Sequence, residues 1–207
     1  MSESFSVIIL AGGFGRRLGR DKATTEAGGR PLLHWSALAA AEVSDDIVVA
    51  RRPDQQFPAL DGVDWREIVD HRHDRGPLAG LEAALPLIEH ELAVAVACDM
   101  PFLQTDLLRA VAAACEGVSI AMPRIDGVAQ PLLAAYRRSI VPQATSLLDE
   151  GDGRLRALLP LVEHSILDIE ELRVHDPELQ SFTNVNRPED LHAVEQALTL
   201  RNTAELV

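Results

Sequence analysis

Residues Val7 to Lys22 read VIILAGGFGRRLGRDK, and few folds accommodate that order of residues. The continuous apolar run Val7-Ile8-Ile9-Leu10 fits a strand buried on both faces, as in a parallel sheet. It stops at Ala11-Gly12-Gly13, and Gly15 and Gly19 follow closely. Arg16, Arg17, Arg20 and Lys22 place four cations within seven positions. Glycines let backbone N–H groups turn toward an anion without steric cost, and the cations supply the charge that an anion needs. The stretch therefore predicts a phosphate-handling loop at the carboxyl end of a first strand. Lys22 is the only lysine; every other permanently charged cation is arginine. A compact ammonium on a flexible stem suits a moving phosphate better than a rigid guanidinium fork does.

A chain of 207 residues suits a single domain with an ample core. Its net charge of −13 argues against a nucleic-acid polymer as partner, since such proteins carry a basic footprint. A bound nucleotide needs only local positive charge. Cys98 and Cys115 are too few for a disulfide framework or a cysteine-based zinc site, and read as core residues. No apolar run approaches the length of a membrane helix. The N-terminal run is too short, and Glu3 too acidic, for a signal peptide, so a cytoplasmic protein is expected.

Apolar strands alternate with helical stretches. Strands are predicted at Val7–Leu10, Ile47–Ala50, Ile68–Val69, Leu92–Cys98, Val118–Met122, Leu132–Tyr136, Val162–Leu167 and Phe182–Val185. Helices are predicted at Pro31–Glu42, after Gly76-Pro77 with a bend at Pro86, at Thr105–Cys115, Ser139–Leu148, Leu155–Leu159 and Pro188–Leu200, ahead of a tail at 201–207. Strand–helix alternation predicts an α/β sheet with helices on both faces. One domain spans 1–207, with residues 1–122 as its nucleotide-binding part and 123–200 as its acceptor-binding part.

In such sheets the ligand lies beyond the carboxyl ends of the strands. There the first loop carries Arg16, Arg17, Arg20 and Lys22, the second Arg51 and Arg52, and the third Arg72 and Arg75. This predicts an electropositive pocket with Asp99, after the fourth long strand, as its acidic exception. A carboxylate facing a polyphosphate repels it unless a divalent cation intervenes, which makes Asp99 a predicted Mg²⁺ ligand. Asp70 is read either as a carboxylate accepting from the N1–H and N2 amine of guanine or as turn chemistry. Asn184 and Asn186 alternate, so on a strand they face one side and orient phosphate without adding charge; the alternative is an ordinary turn.

LAGGFGRRLGRDKA, Asp70 with GPLAGLEAAL six residues on, CDMPFL, QPLLAAY and NVNRPEDL occur in this order from Leu10 to Leu191. In these five motifs the chain resembles the molybdenum cofactor guanylyltransferases. The resemblance implies a three-layer α/β/α Rossmann-like nucleotidyltransferase domain with a mostly parallel sheet. It implies transfer of GMP from Mg·GTP to the terminal phosphate of molybdopterin, with Mg²⁺ as cofactor, pyrophosphate as by-product and transient contacts with cofactor-biosynthesis or acceptor proteins. Leu10, Ala11, Gly12 and Gly13 would line the guanine and ribose beside Gly15. Arg16 or Arg17, with Lys22, would grip the triphosphate. Asp70 would bind guanosine and Asp99 the metal, while Asn184 and Asn186 would serve the pterin phosphate or the transition state. AGG with GPLAG resembles the GTP-using branch. An asparagine contact that some members carry at the end of the second strand is replaced here within Val48-Val49-Ala50-Arg51. Arg187 stands where a better helix cap is expected.

The chemistry of the residues agrees with that reaction. A phosphate monoester is already an anionic nucleophile, so no triad or strong base is required, and catalysis reduces to alignment and charge neutralisation. The competing readings are a cytidylyltransferase of the same cofactor, a phospholactate guanylyltransferase, an NADP-binding reductase and a non-catalytic nucleotide-binding domain. The reductase is disfavoured because a glycine pattern alone is weak, and because the only lysine lies in the first loop.

Overall fold

The computed structural model describes residues 3–13, 15, 17–72 and 74–204, the last four in backbone only. Arg16 and the tail at 205–207 lie outside the described residues. In chain order come β1 (Ser6–Leu10), the short pair β2 (Glu26–Ala27) and β3 (Arg30–Pro31), α1 (Leu32–Ala41), β4 (Ile47–Arg51), β5 (Arg66–Val69), α2 (Pro77–Ala84) and β6 (Leu92–Ala97). Then follow α3 (Thr105–Ala113), β7 (Ile120–Ile125), β8 (Val128–Ala129), β9 (Leu133–Arg137), α4 (Val141–Asp149), β10 (His164–Leu167), α5 (Ile169–His175) and α6 (Pro188–Ala204).

The main sheet runs β10-β7-β9-β6-β1-β4-β5, with β8 folded back on β7. β1 is parallel to β4 and β6, β4 to β5, and β10 to β7; β9 runs antiparallel between β6 and β7. The hairpin joining β7 to β8 turns at Asp126-Gly127, both with positive φ, as its twist requires. β1 is buried throughout, as its unbroken apolar run predicts for a central strand covered on both faces. Val7 and Ile9 pack on one side with Ala37 of α1 and Leu107, Leu108 and Val111 of α3. Ile8 and Leu10 pack on the other with Leu78 and Leu81 of α2 and Ala144 of α4. That period of two makes the three-layer α/β/α architecture. Burying a leucine such as Leu78 or Leu81 stabilises the fold by about 2–3 kcal/mol each.

Register aligns the site. Leu10 of β1 pairs with both Ala50 of β4 and Ala97 of β6, so three central strands end level and their loops emerge side by side. α2 begins at Pro77, whose missing N–H costs nothing there, and tightens into a 3-10 turn over Leu85–Leu87 around Pro86.

Two expectations are corrected. Phe182–Val185 is no strand: a 3-10 turn at Gln180–Phe182 leads into extended chain outside the sheet. The segment 201–204, expected to be tail, continues α6. α5, absent from the sequence reading, is nucleated by a capping box in which Asp168 and Glu171 satisfy each other's backbone amides.

Candidate active site

A cavity of about 560 Å³ opens beyond the carboxyl ends of β1, β4 and β6. Leu10, Gly12, Gly13 and Lys22 line it from the first strand and loop, Asp70 from the end of β5, Asp99 from the end of β6, and Asn184 and Asn186 from the approach to α6.

At its polar corner the Lys22 ammonium donates to Asp99 Oδ2 at 2.6 Å and to Asn186 Oδ1 at 2.7 Å. These residues are up to 164 positions apart in sequence. Asp99 is 5% exposed, so its charge faces the cavity from a largely dry wall. One backbone bond brings the asparagines there: the Val185 N–H donates to the Asp99 carbonyl at 3.1 Å. Val185 is fully buried among Leu18, Leu32 and Leu191, which leaves its two neighbours on the cavity side. Asn184 and Asn186 thus face the same side although their segment is not a strand. Arg187 needs no capping side chain, because Asp190 accepts from the Asn186 and Arg187 N–H groups at 2.9 and 2.8 Å. A carboxylate in the first turn also suits the positive end of α6.

The glycine loop is shaped as much by geometry as by charge. Gly15 has φ +55°, and a Cβ there would lie 2.0 Å from the Arg20 carbonyl oxygen. Its own carbonyl accepts from the Leu18 and Gly19 amides, both at 2.9 Å, so Gly15 closes the turn rather than lining the cavity. Ala11 is fully buried; its N–H donates to Ala50 and its carbonyl accepts from Gln55, facing away from the cavity. Arg17 is exposed on the turn and is not among the cavity-lining residues.

The expected electropositive pocket is corrected. Arg51 pairs with Glu67 at 2.6 Å, and Arg72 pairs with Asp149 and Glu82, which draws both out of the lining. Among the described residues Lys22, Arg52 and Arg75 line the cavity, opposed by Asp70, Asp74 and Asp99, a balanced set rather than a basic one. Asp70 serves its turn, with Oδ1 accepting the Arg72 N–H at 2.8 Å, and also lines the cavity. Sequence reasoning missed Asp74, Asp21 and Gln55. Their only local signal was adjacency: Asp21 to Lys22, Asp74 to the GPLAG segment. Cys98 also borders the cavity, but burial, followed by the nearby Asp99 and Asp21 charges, pushes its thiol far up, so it stays protonated and is no nucleophile.

The donor set fits a hard divalent cation shared with phosphate oxygens. Asp99 offers carboxylate oxygen at a place where it already holds one cation, the Lys22 ammonium. No group of three His, Cys, Asp or Glu side chains among the described residues forms a metal cage. One carboxylate plus substrate oxygens is the mode that Mg²⁺ favours.

Comparison with known proteins agrees with this geometry. The family model for the MobA-like NTP transferase domain matches residues 7–167. A probable molybdenum cofactor guanylyltransferase of Natronomonas pharaonis is 34% identical over 197 residues, covering 93% of this chain and 97% of the relative. A molybdenum cofactor guanylyltransferase of Desulfosudis oleivorans is 31% identical over 196 residues, covering 92% and 94%. Among solved structures, molybdopterin-guanine dinucleotide biosynthesis protein A from Archaeoglobus fulgidus superposes with a TM-score of 0.80 at 26% identity, covering 94% of this chain and 99% of its own. The 2-C-methyl-D-erythritol 4-phosphate cytidylyltransferase of Thermus thermophilus shares the fold, with a TM-score of 0.73 at 18% identity over 95% and 99% of the two chains. Sheet order, the glycine loop at the end of β1 and these matches together make the chain a nucleotidyltransferase of the MobA-like NTP transferase family.

Proposed function

We propose that the protein transfers GMP from Mg·GTP to the terminal phosphate of molybdopterin, forming the guanine dinucleotide cofactor and releasing pyrophosphate. The observation that carries this reading is the bonded trio Lys22, Asp99 and Asn186 beside Gly12 and Gly13 in one cavity. The names of the relatives given above support the choice of acceptor and base.

An oxygen of the acceptor phosphate attacks the α-phosphorus of GTP; that P–O bond forms as the bond to the pyrophosphate bridge breaks. The attacking phosphate is already anionic, so no residue need remove a proton. Residues 1–122 hold the nucleotide, with the guanine and ribose along Leu10, Gly12 and Gly13 beside Asp70 and the triphosphate running from the glycine loop toward Lys22. Residues 123–200 receive the acceptor, and Asn184 and Asn186 orient its phosphate without adding repulsion. Lys22 neutralises charge that grows on the leaving pyrophosphate, where a preorganised donor acts most strongly. Asp99 would hold Mg²⁺, which when bound supplies further neutralisation of the triphosphate oxygens. Arg16 or Arg17 would supply a further phosphate contact. Both thiols are free and buried, which supports a reducing cytoplasm; transient handover to acceptor proteins there belongs to the same proposal.

The test offers GTP, CTP and ATP, each with Mg²⁺ and molybdenum-loaded molybdopterin, and follows dinucleotide formation. GTP alone is expected to support it. Use of CTP with GTP ignored would overturn the base assignment.

A further inference from the structure

Arg52 directly follows β4, and its side chain is mostly buried at 15% exposure. Its guanidinium donates to the carbonyls of Gly12 at 3.0 Å and Gly13 at 3.1 Å, and to Asp21 Oδ2 at 2.9 Å. Gln55 works beside it. The Gln55 amide donates to the Ala11 carbonyl at 2.9 Å and to Asp21 Oδ2 at 2.6 Å, while its oxygen accepts the Arg52 N–H at 2.8 Å. Asp21 Oδ1 takes the Ala23 N–H at 2.9 Å. These bonds reach both ends of the glycine loop, residues 11 to 13 where the chain enters and residue 21, next to Lys22, where it leaves.

We propose that Arg52, Gln55 and Asp21 form a positioning clamp that presets the glycine loop and Lys22 for the triphosphate. This rests on the reading of the site as a nucleotidyl-transfer centre, and extends it to Arg52 and Gln55, which lie outside the family motifs, and to Asp21, which has no assigned role within the first of them. Two effects follow from the geometry. Arg52 covers two carbonyl dipoles whose negative ends would otherwise repel phosphate, and in a trans peptide the Gly13 N–H points opposite to the Gly12 carbonyl, away from Arg52. A glycine-rich segment also loses more conformational freedom on ordering than any other, and the clamp removes that cost before the ligand arrives. Lysine cannot replace arginine here, since four acceptors at separate places, the two carbonyls, Asp21 and Asp54 Oδ1 at 3.2 Å from Nε, need a planar fork.

The clamp is tested by affinity for Mg·GTP and for magnesium pyrophosphate, read by calorimetry beside thermal unfolding and hydrogen exchange of residues 10–22. Arg52→Ala is expected to weaken both ligands by about tenfold or more and to speed exchange in the loop. Arg52→Lys is expected to behave like Arg52→Ala. Gln55→Ala, which leaves no charge unpaired, is expected to weaken binding in the same direction and so covers the case of an unfolded Arg52 variant. Asp21→Ala combined with Arg52→Ala is expected to be no worse than the more damaging single change, because both act on one loop. Wild-type affinity in Arg52→Lys would show that charge alone matters and overturn the clamp. So would unchanged affinity with a lowered melting temperature in Arg52→Ala or Gln55→Ala, additive losses, or no binding of pyrophosphate or any nucleoside triphosphate by the wild type. Binding of CTP in place of GTP would overturn the base reading and leave the clamp standing on the pyrophosphate result.

Discussion

The ammonium of Lys22 lies 2.6 Å from Asp99 and 2.7 Å from Asn186, so a triphosphate reaching this corner meets a charge already fixed in place. Lys22→Ala removes a preorganised donor and is expected to lower turnover by about 10²–10³-fold, measured as pyrophosphate release under saturating GTP. Asp99→Ala is expected to abolish Mg²⁺-dependent release; near-normal turnover in either variant would sink the assigned roles. The two thiols give a second check at this scale. Burial pushes Cys98 far up, and pushes Cys115 up to about 11, so neither is thiolate at neutral pH. Neither cysteine is expected to react with a maleimide until the protein is unfolded, when both should label; fast labelling of the folded chain would contradict the closed wall behind Asp99. Lys22 was legible as the only lysine, set in a glycine loop, Asp99 because it follows an apolar run, and the asparagines because they alternate. Arg51 and Arg72 misled for a physical reason: a loop arginine takes whichever carboxylate folding brings near, and Glu67, Glu82 and Asp149 are distant in sequence or weakly patterned.

Between elements, the loop after α4 docks on the start of α2. The Gly153 carbonyl accepts the Leu78 N–H at 3.2 Å, and a Cβ on Gly153 would lie 1.5 Å from the Arg75 carbonyl oxygen. No rotamer relieves a clash with backbone. Gly153→Ala is expected to push the two segments apart and cost about 2 kcal/mol or more, seen as a melting temperature about 4–8 °C lower, with faster hydrogen exchange at residues 75–79. A melting temperature unchanged from wild type would show that the loop is not held there. Elements with a strong period were readable, as β1 and α3 were. α5 escaped because seven residues give too little periodicity, although its Asp168-x-x-Glu171 box was present in the sequence. The supposed strand at Phe182–Val185 failed because a short apolar stretch with one backbone bond to Asp99 satisfies no ladder.

Across the whole molecule, the end of the sheet opposite the cavity is tied by Asp46. Its carboxylate accepts from Ser6 Oγ at 2.6 Å and the Glu89 N–H at 2.7 Å, and it pairs with Arg66. Burial alone would raise its pKa, but the Glu89 amide, the Ser6 hydroxyl and Arg66 outweigh it and hold the group below the usual carboxylate range. With the folded pKa lowered, this stabilisation is complete above the unfolded value and is lost as pH falls through the folded one. Asp46→Asn is expected to cost about 2–3 kcal/mol at pH 7, with the gap to wild type closing as urea unfolding is repeated toward lower pH. A gap that stayed constant would assign the effect to packing instead. The layered architecture was legible because alternation of apolar strands and helices leaves few ways to bury both faces of a sheet; the insertion of β9 antiparallel between β6 and β7 was not, since pairing order depends on contacts far apart in sequence.

The central claim is that the α-phosphorus is the atom attacked, and isotopic label follows that atom directly. GTP labelled at the α- or the γ-phosphorus, given with Mg²⁺ and molybdenum-loaded molybdopterin, is expected to pass the α-label into the dinucleotide and the γ-label into pyrophosphate in equal amounts. Transfer of the γ-label to the acceptor, or release of labelled phosphate with no α-label in the product, would contradict it.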